Sequence, residues 1–176
     1  MTPNKINVNT TDINSSANLN AGLQGMPLDV MGLFFFAYRD FVSAADELLV
    51  GHKFGRAHHR VLYFVNIRPG MPVADLLDIL KITKQSLARV LRQLIDQGFI
   101  DQHVGHEDRR QRLLYATEKG QQFFALLSKS QTNRINQALK DLSPSAQQAV
   151  RDFLFAMIEK TDHQTLMELK LIDTQS

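Results

Sequence analysis

The spacing of apolar residues along the chain predicts that most of it is helical. In the stretch 83–97, apolar residues recur at intervals of three and four, which places them on one face of an α-helix. They are Leu87, Val90, Leu91, Leu94 and Ile95. The same kind of pattern predicts further helices at 28–50, 54–67, 73–80, 118–140 and from Pro144 through Ile158.

Two of these helices are close enough in sequence to form a helix-turn-helix. Only two residues separate the helix 73–80 from Thr83, an N-cap for the next helix, and such short turns are typical of the motif. Downstream, apolar residues predict strands at 99–104 and 113–117, joined by a polar turn that begins at Gly105. A helix-turn-helix followed by a β-hairpin is a winged helix. The predicted fold class is mainly α with a small β-wing: a winged helix-turn-helix plus N- and C-terminal dimerisation helices.

The helix 83–97 has a polar face opposite its apolar stripe. Glutamine and serine can hydrogen-bond base edges, arginine can bind guanine through two hydrogen bonds, and lysine can reach phosphates. A solvated surface is the simpler interpretation of such a face, but the neighbouring elements favour DNA. Arginines in the wing suit a narrow minor groove, where the negative potential is deepest. The predicted DNA contacts are Thr83, Lys84, Gln85, Ser86, Ala88, Arg89 and Arg92 on the helix and Arg109, Arg110 and Arg112 in the wing.

Three short motifs together resemble the MarR family of bacterial transcription regulators. They are Ile82-Thr83-Lys84, Leu94-x-x-x-Gly98-Phe99-Ile100 and Asp108-x-Arg110-x-x-x-Leu114-x-Ala116-Thr117-x-x-Gly120. The resemblance covers about residues 30–160. It implies that Arg110 inserts into the minor groove, that Asp108 holds the wing in shape, and that the first helix and the last two form a dimer interface. The chain departs from the family at Lys81, where glycine is common. This lysine would either add a phosphate contact or alter the turn.

The apolar surface of the helix 28–50 also indicates a subunit interface. Its first half has little polar surface, and a helix that is apolar all round must be covered on all sides. The alternative is burial within one subunit. Residues 1–25 are rich in Asn, Thr, Ser and Gly, which predicts a flexible tail. The predicted parts of the single domain are this tail, a first dimerisation helix (26–52), the DNA-binding lobe (53–117), C-terminal dimerisation helices (118–162) and a C-terminal tail (163–176).

Charge and composition narrow the function further. The 176-residue chain has a formal net charge of only +2. Residues 52–92, however, contain eight Lys/Arg and two Asp/Glu, a balance of +6, whereas residues 1–51 have a balance of −3. A basic central module fits a polyanion such as double-stranded DNA. The absence of cysteine excludes disulfides and thiolate catalysis. The apolar run near 30–37 is too short to span a bilayer, so we expect a cytoplasmic protein without a membrane partner.

The six histidines do not predict a metal site. His58 and His59 point to different sides of a helix, and His103 and His106 lie across a strand and a turn. No cofactor is expected, and the lack of a phosphate-binding glycine loop or a supported nucleophile argues against an enzyme. The family resemblance implies a pocket for a small aromatic or anionic effector where the dimerisation helices meet the DNA-binding lobe. Residues placed to line it are Tyr38, Arg39, His59 and Tyr63, for which ordinary packing is the alternative.

The predicted function is that of a homodimeric, sequence-specific transcription regulator. Two copies of the helix 83–97 and of the wing 105–112 would bind a palindromic operator, with the two helices about one DNA turn, roughly 34 Å, apart. Repression is the favoured mode of control. A protein-interaction module that docks a partner protein is the alternative, although the exposed cations speak against it. Gln85, Ser86, Ala88 and Arg89 would read bases, and Lys84 and Arg92 would contact phosphates.

Overall fold

The computed structural model describes residues 25–172 of the chain. Except for Gly25, the tail predicted for 1–25 lies outside the described residues. None of the helices in the described part is long and apolar enough to cross a membrane. In chain order the elements are α1 (Leu28–Val50), α2 (Arg56–Ile67), β1 (Met71–Pro72), α3 (Val73–Leu80), α4 (Lys84–Asp96), β2 (Ile100–Val104), β3 (Arg112–Ala116), α5 (Glu118–Leu139), α6 (Pro144–Ala156) and α7 (Lys160–Glu168).

The strands form one antiparallel sheet in the order β1-β3-β2. β2 and β3 are the predicted hairpin, in which Val104 lies opposite Arg112. The sequence does not predict β1, because two residues are too few to show an alternating pattern. Its Met71 pairs with Leu114 of β3. The mainly α fold with a small β-wing is thus confirmed, with a sheet that has one strand more than expected.

The apolar stripes of α2, α3 and α4 meet the sheet in one hydrophobic core. This packing fixes the orientation of α4 relative to the wing, because interiors are close-packed and tolerate little movement. The large side chains that are fully buried in this core include Leu62, Leu76, Leu87, Leu94, Phe99, Leu114 and Leu127.

The corner between β3 and α5 explains why the third motif ends in Thr117-x-x-Gly120. Thr117 caps α5, since its Oγ1 accepts a hydrogen bond from the Gly120 amide at 3.0 Å, and it also donates to the Gly98 carbonyl at 2.7 Å. A Cβ atom at Gly120 would overlap the Phe99 carbonyl oxygen. Glycine is therefore required there for α5 to approach the chain that leaves α4.

The sequence predicts a single domain, whereas the described chain divides into two units between Arg39 and Asp40, within α1. In the first unit, described from Gly25, the large apolar side chains of α1 are exposed, with Phe35 at 64%. The Arg39 guanidinium lies 4.7 Å from the centroid of the Phe36 ring. The second unit contains the remainder of α1 and all of the later elements.

The C-terminal region contains a helix that the sequence analysis missed. α6 ends at Ala156 rather than continuing through Ile158, and α7 follows it. The predicted tail of 163–176 is therefore wrong for residues 163–168. α7 shows only a weak apolar stripe. Leu169, which is buried in the core with 6% of its surface exposed, follows directly after the helix.

Candidate nucleic-acid interface

Both ends of α4 are capped by local hydrogen bonds. At its start, Thr83 Oγ1 accepts from the Ser86 amide at 3.2 Å, which is the predicted N-cap. At its end, Gly98 has a φ of 73°, and the amides of Gly98 and Phe99 donate to Ile95 and Leu94 at 2.9 and 2.8 Å. These two bonds make a Schellman motif. The predicted limits of the helix are confirmed, and its terminal turns are held in place.

The polar face of α4 is open to solvent. Its long side chains and Ala88 are exposed, whereas Ser86 is half-buried. The Thr83 hydroxyl donates to Ser86 Oγ at 3.0 Å, so the predicted base-reading serine is engaged in the helix cap. We call the exposed residues Lys84, Gln85, Ala88, Arg89 and Arg92 the reading face.

A buried histidine joins α4 to α2. His58 is 8% exposed, and its ring stacks on Phe54 with the centroids 4.5 Å apart. Its Nδ1 accepts a hydrogen bond from the Gly55 amide at 3.1 Å. This leaves Nε2 as the protonated nitrogen, which donates to Gln93 Oε1 at 2.7 Å. Gln93 lies on the side of α4 away from the wing, so the pair braces the helix against α2.

The turn between α3 and α4 keeps a left-handed residue although it has no glycine. Lys81 has a φ of 51° and a ψ of 42°, and its amide donates to the Leu77 carbonyl at 3.0 Å. Its Nζ lies 2.7 Å from Asp162 Oδ2 on α7. Lys81 thus adopts a conformation that glycine reaches readily, and its ammonium is paired with a carboxylate.

The wing turn, residues 105–111, is closed by hydrogen bonds within itself. The Gly105 amide donates to the Gln111 carbonyl at 3.2 Å, and the Gln111 amide donates to the Asp108 carbonyl at 3.0 Å. Asp108 Oδ1 accepts from the Arg110 amide at 2.8 Å. The carboxylate of Asp108 thus supports the backbone beside the arginine that the family resemblance assigns to the minor groove.

The three wing arginines are all exposed, but they are not equivalent. Arg109 and Arg110 belong to the wing turn, whereas Arg112 is the first residue of β3. Nη1 of Arg112 donates to the carbonyls of Arg109 and Gln111 at 2.9 and 3.2 Å. Its guanidinium is therefore turned back onto the wing, which the sequence pattern gives no means of predicting.

A groove of about 530 Å³ lies between α3, α4 and the wing. Its floor is apolar and includes Leu77 and Leu91, and Lys84, Arg92 and Arg112 contribute to its walls. The groove brings a part of the reading face next to the wing. One surface therefore carries cations from both elements that the sequence assigns to DNA contact.

The residues predicted to line an effector pocket are distributed over the two units. His59 and Tyr63 lie one helical turn apart on α2, whereas Tyr38 and Arg39 belong to the first unit. Burial lowers the pKa of His59, an effect that the nearby Asp46 carboxylate partly offsets. Burial also raises the pKa of Tyr63, so both groups are neutral at pH 7. A pocket lined by all four residues remains a prediction.

Within residues 25–172, no three His, Cys, Asp or Glu side chains are grouped so that they could hold a metal ion. His103 instead packs edge-on against Tyr115, with ring centroids 5.3 Å apart. Leu113 of β3 lies directly opposite His103 in the sheet. These contacts give His103 a packing role on the outer face of the wing.

Comparison with known proteins also indicates a helix-turn-helix regulator. Residues 52–111 match a model of the MarR family. The chain is similar to the HTH-type transcriptional regulator PetP of Rhodobacter capsulatus, with 45% identity over 125 residues that cover 71% of this chain and 75% of PetP. The matched family region includes α2, α3, α4 and the whole wing turn, which are the elements that carry the candidate interface.

Solved structures share the fold at lower identity. The crystal structure of MarR has a TM-score of 0.59 with 20% identity, over 82% of this chain and 95% of that one. A mutant of S. aureus MepR, bound to an oligodeoxyribonucleotide, has a TM-score of 0.52 with 18% identity, over 73% of this chain and 94% of that one. These likenesses support the winged helix-turn-helix architecture.

Proposed function

Because the chain belongs to the MarR family of helix-turn-helix transcriptional regulators, we propose that it is a homodimeric repressor that binds a palindromic operator. Members of this family are DNA-binding regulators rather than enzymes. The observation that carries the proposal is the surface formed by the reading face and the exposed wing arginines. Its cations come from two elements that the hydrophobic core holds in a fixed relation.

In this proposal α4 lies in the major groove. Gln85 and Arg89 provide an amide and a guanidinium, the groups that read adenine and guanine edges, and Ala88 can contact a thymine methyl group. Lys84 and Arg92 contact phosphates beside them. The caps at Thr83 and Gly98 and the bond from His58 support this role, because a rigid helix loses less entropy when it binds. Thr83 and Ser86 lie at the start of the helix, near the sugar-phosphate backbone.

The wing would lie in the neighbouring minor groove. Arg110 is the inserted side chain, and Arg109 lies beside it in the same turn. A narrow minor groove has an enhanced negative potential that attracts arginine. The hydrogen bond from the Arg110 amide to Asp108 supports a defined direction for this side chain.

The homodimer is proposed from the apolar surface that the chain exposes. In the first unit this surface is the first half of α1, and in the second unit it includes parts of α5 and α6. Exposed apolar patches of this kind mark interaction sites, and a two-fold dimer would present two copies of α4 about 34 Å apart. The residues are Leu33, Phe34, Phe35, Phe36 and Tyr38 of α1, Leu126 and Ile135 of α5, Phe153 and Leu154 of α6, and Met157 directly after α6.

We further propose that a small aromatic carboxylate lowers the affinity for DNA by binding beside His59 and Tyr63. Both side chains are half-buried, and their neutral imidazole and phenol groups can donate hydrogen bonds to a carboxylate. The test is a titration of the protein–DNA complex with benzoate. Release that disappears in the variant with both Tyr63→Phe and His59→Phe supports this site, and equal release from the variant contradicts it.

The roles within the interface are tested by binding to a preferred DNA site and to its single-base variants. Arg89→Ala should reduce discrimination at one base pair by about 1–3 kcal/mol. An equal loss for every sequence would show that Arg89 touches only the backbone.

Arg110→Ala should weaken binding and make the slope of log Kd against log salt shallower by about one. An unchanged slope would place Arg110 away from DNA. Arg134→Ala, which removes an exposed arginine of α5, is the control.

A further inference from the structure

We infer that Arg112 is a positioning residue, which holds the wing turn so that Arg110 is presented to the minor groove. This inference rests on the proposed function and differs from the predicted role of Arg112 as a DNA contact. Arg112 precedes the rest of β3 and lies opposite Val104 of β2. Its side chain therefore starts from the base of the wing turn, which the sheet holds in place.

The guanidinium of Arg112 binds the backbone on both sides of Arg110. One carbonyl that it contacts, that of Arg109 at 2.9 Å, belongs to the peptide group joining Arg109 to Arg110. The other, that of Gln111 at 3.2 Å, follows Arg110 by one residue. A single nitrogen, Nη1, carries both bonds, which uses the two N–H groups that it has.

Asp108 holds the same turn through two further hydrogen bonds. Its Oδ1 accepts from the Arg110 amide at 2.8 Å, and its carbonyl accepts from the Gln111 amide at 3.0 Å. The peptide group before Arg110 is thus bonded at both its carbonyl and its amide, and the peptide group after it is bonded at its amide. With these groups held, the backbone angles of Arg110 have little freedom, and so its Cα–Cβ direction is set.

A guanidinium suits this task better than an ammonium. It is planar, always charged and presents its donors in a fixed fork, and hydrogen bonds from a charged donor are stronger than neutral ones. A direct phosphate contact is the competing role, because Arg112 also lines the groove beside α4 with Lys84 and Arg92. The two roles predict different couplings between Arg112 and Arg110.

The first experiment is a double-mutant cycle on DNA affinity with Arg110→Ala, Arg112→Ala and the double variant. A positioning role predicts that Arg112→Ala weakens binding about three- to tenfold in the wild-type background and less than twofold when Arg110 is already alanine. Losses that multiply in the double variant, with a salt slope lower by about two contacts, would mean that Arg112 binds a phosphate itself. Arg109→Ala is the comparison variant: it removes a predicted DNA contact but keeps the carbonyl that Arg112 holds, so its loss of affinity should be the same with and without the Arg110 side chain.

The second experiment needs no DNA and so separates this inference from the proposed function. Backbone ¹⁵N relaxation of residues 108–111 is measured for the wild type, Arg112→Ala and Arg109→Ala. We expect lower order parameters in Arg112→Ala only. Unchanged order parameters in that variant would overturn the positioning role. If Arg110→Ala leaves DNA affinity unchanged, the proposed wing contact fails, and the relaxation data still decide whether Arg112 holds the turn.

Discussion

A single methyl group added at Gly105 should weaken DNA binding without unfolding the protein. A Cβ atom at this position would lie 2.7 Å from the Asp108 carbonyl oxygen and 3.3 Å from Gln111 Cβ. Gly105 does not have a positive φ, so alanine meets no backbone strain there. The cost of Gly105→Ala is therefore steric, and the wing turn must open to relieve it.

The magnitude follows from the bonds that opening breaks. The turn would lose the hydrogen bonds from the Gly105 amide to Gln111 and from the Gln111 amide to Asp108, each of which contributes about 0.5–1.5 kcal/mol. Binding DNA must then order the turn again, which costs about 1–3 kcal/mol, or roughly 5- to 150-fold in Kd. The same two bonds stabilise the folded protein, so the free energy of global unfolding should also fall, by up to about 1–3 kcal/mol.

Gly98→Ala is the matched control, because it should also lower stability but leaves the wing turn closed. Nothing lies within 4 Å of a Cβ atom at Gly98, but its φ of 73° is unfavourable for alanine. We expect a loss of about 1 kcal/mol in the free energy of unfolding and a smaller loss of DNA affinity than in Gly105→Ala. The assays are urea unfolding and fluorescence anisotropy with labelled DNA. Wild-type affinity of Gly105→Ala would refute the claim that an ordered wing turn is needed for binding.

Three further predictions concern stability and are read from urea unfolding. Lys81→Gly should be about 1 kcal/mol more stable than Lys81→Ala, since both lose the ion pair and only alanine resists the left-handed turn; equal stabilities would contradict the conformation of this turn. Thr117→Ala should lose about 2 kcal/mol, from the helix cap and the bond to Gly98, whereas Thr117→Ser keeps its hydroxyl and should lose less than half of that; a similar loss from both would exclude the hydroxyl as the cause. Because burial lowers the pKa of His59 below 6.5, its unfolded form binds more protons, so stability should be complete above about pH 6.5 and fall below it. His59→Gln should flatten this decrease, and an identical pH profile would show that His59 is not its source.

The parts of the fold that the sequence predicts are those with local signals. The apolar stripe and the caps at Thr83 and Gly98 locate α4, because both arise from neighbouring residues. β1 and α7 lack such signals. β1 exists through its pairing with Leu114, and α7 has a weak stripe and is followed by the buried Leu169.

The same distinction between local signals and contacts made by packing applies to the candidate interface. The sequence predicts which arginines belong to the reading face and to the wing, because helix and turn positions follow from spacing. It does not predict that Arg112 turns back onto the wing, or that His58 reaches Gln93, 35 residues away in sequence. These contacts depend on how elements pack. The sequence around a buried histidine does not indicate which residue it hydrogen-bonds to.

The most direct test of the central claim is selection of DNA by the purified protein from a random library, followed by sequencing. A homodimer that reads DNA through α4 and the wing predicts an enriched motif with two-fold symmetry. Its half-sites should be about 10 base pairs apart, and its minor-groove flanks should be rich in A·T. No enrichment at low salt, or a motif without two-fold symmetry, would contradict the account.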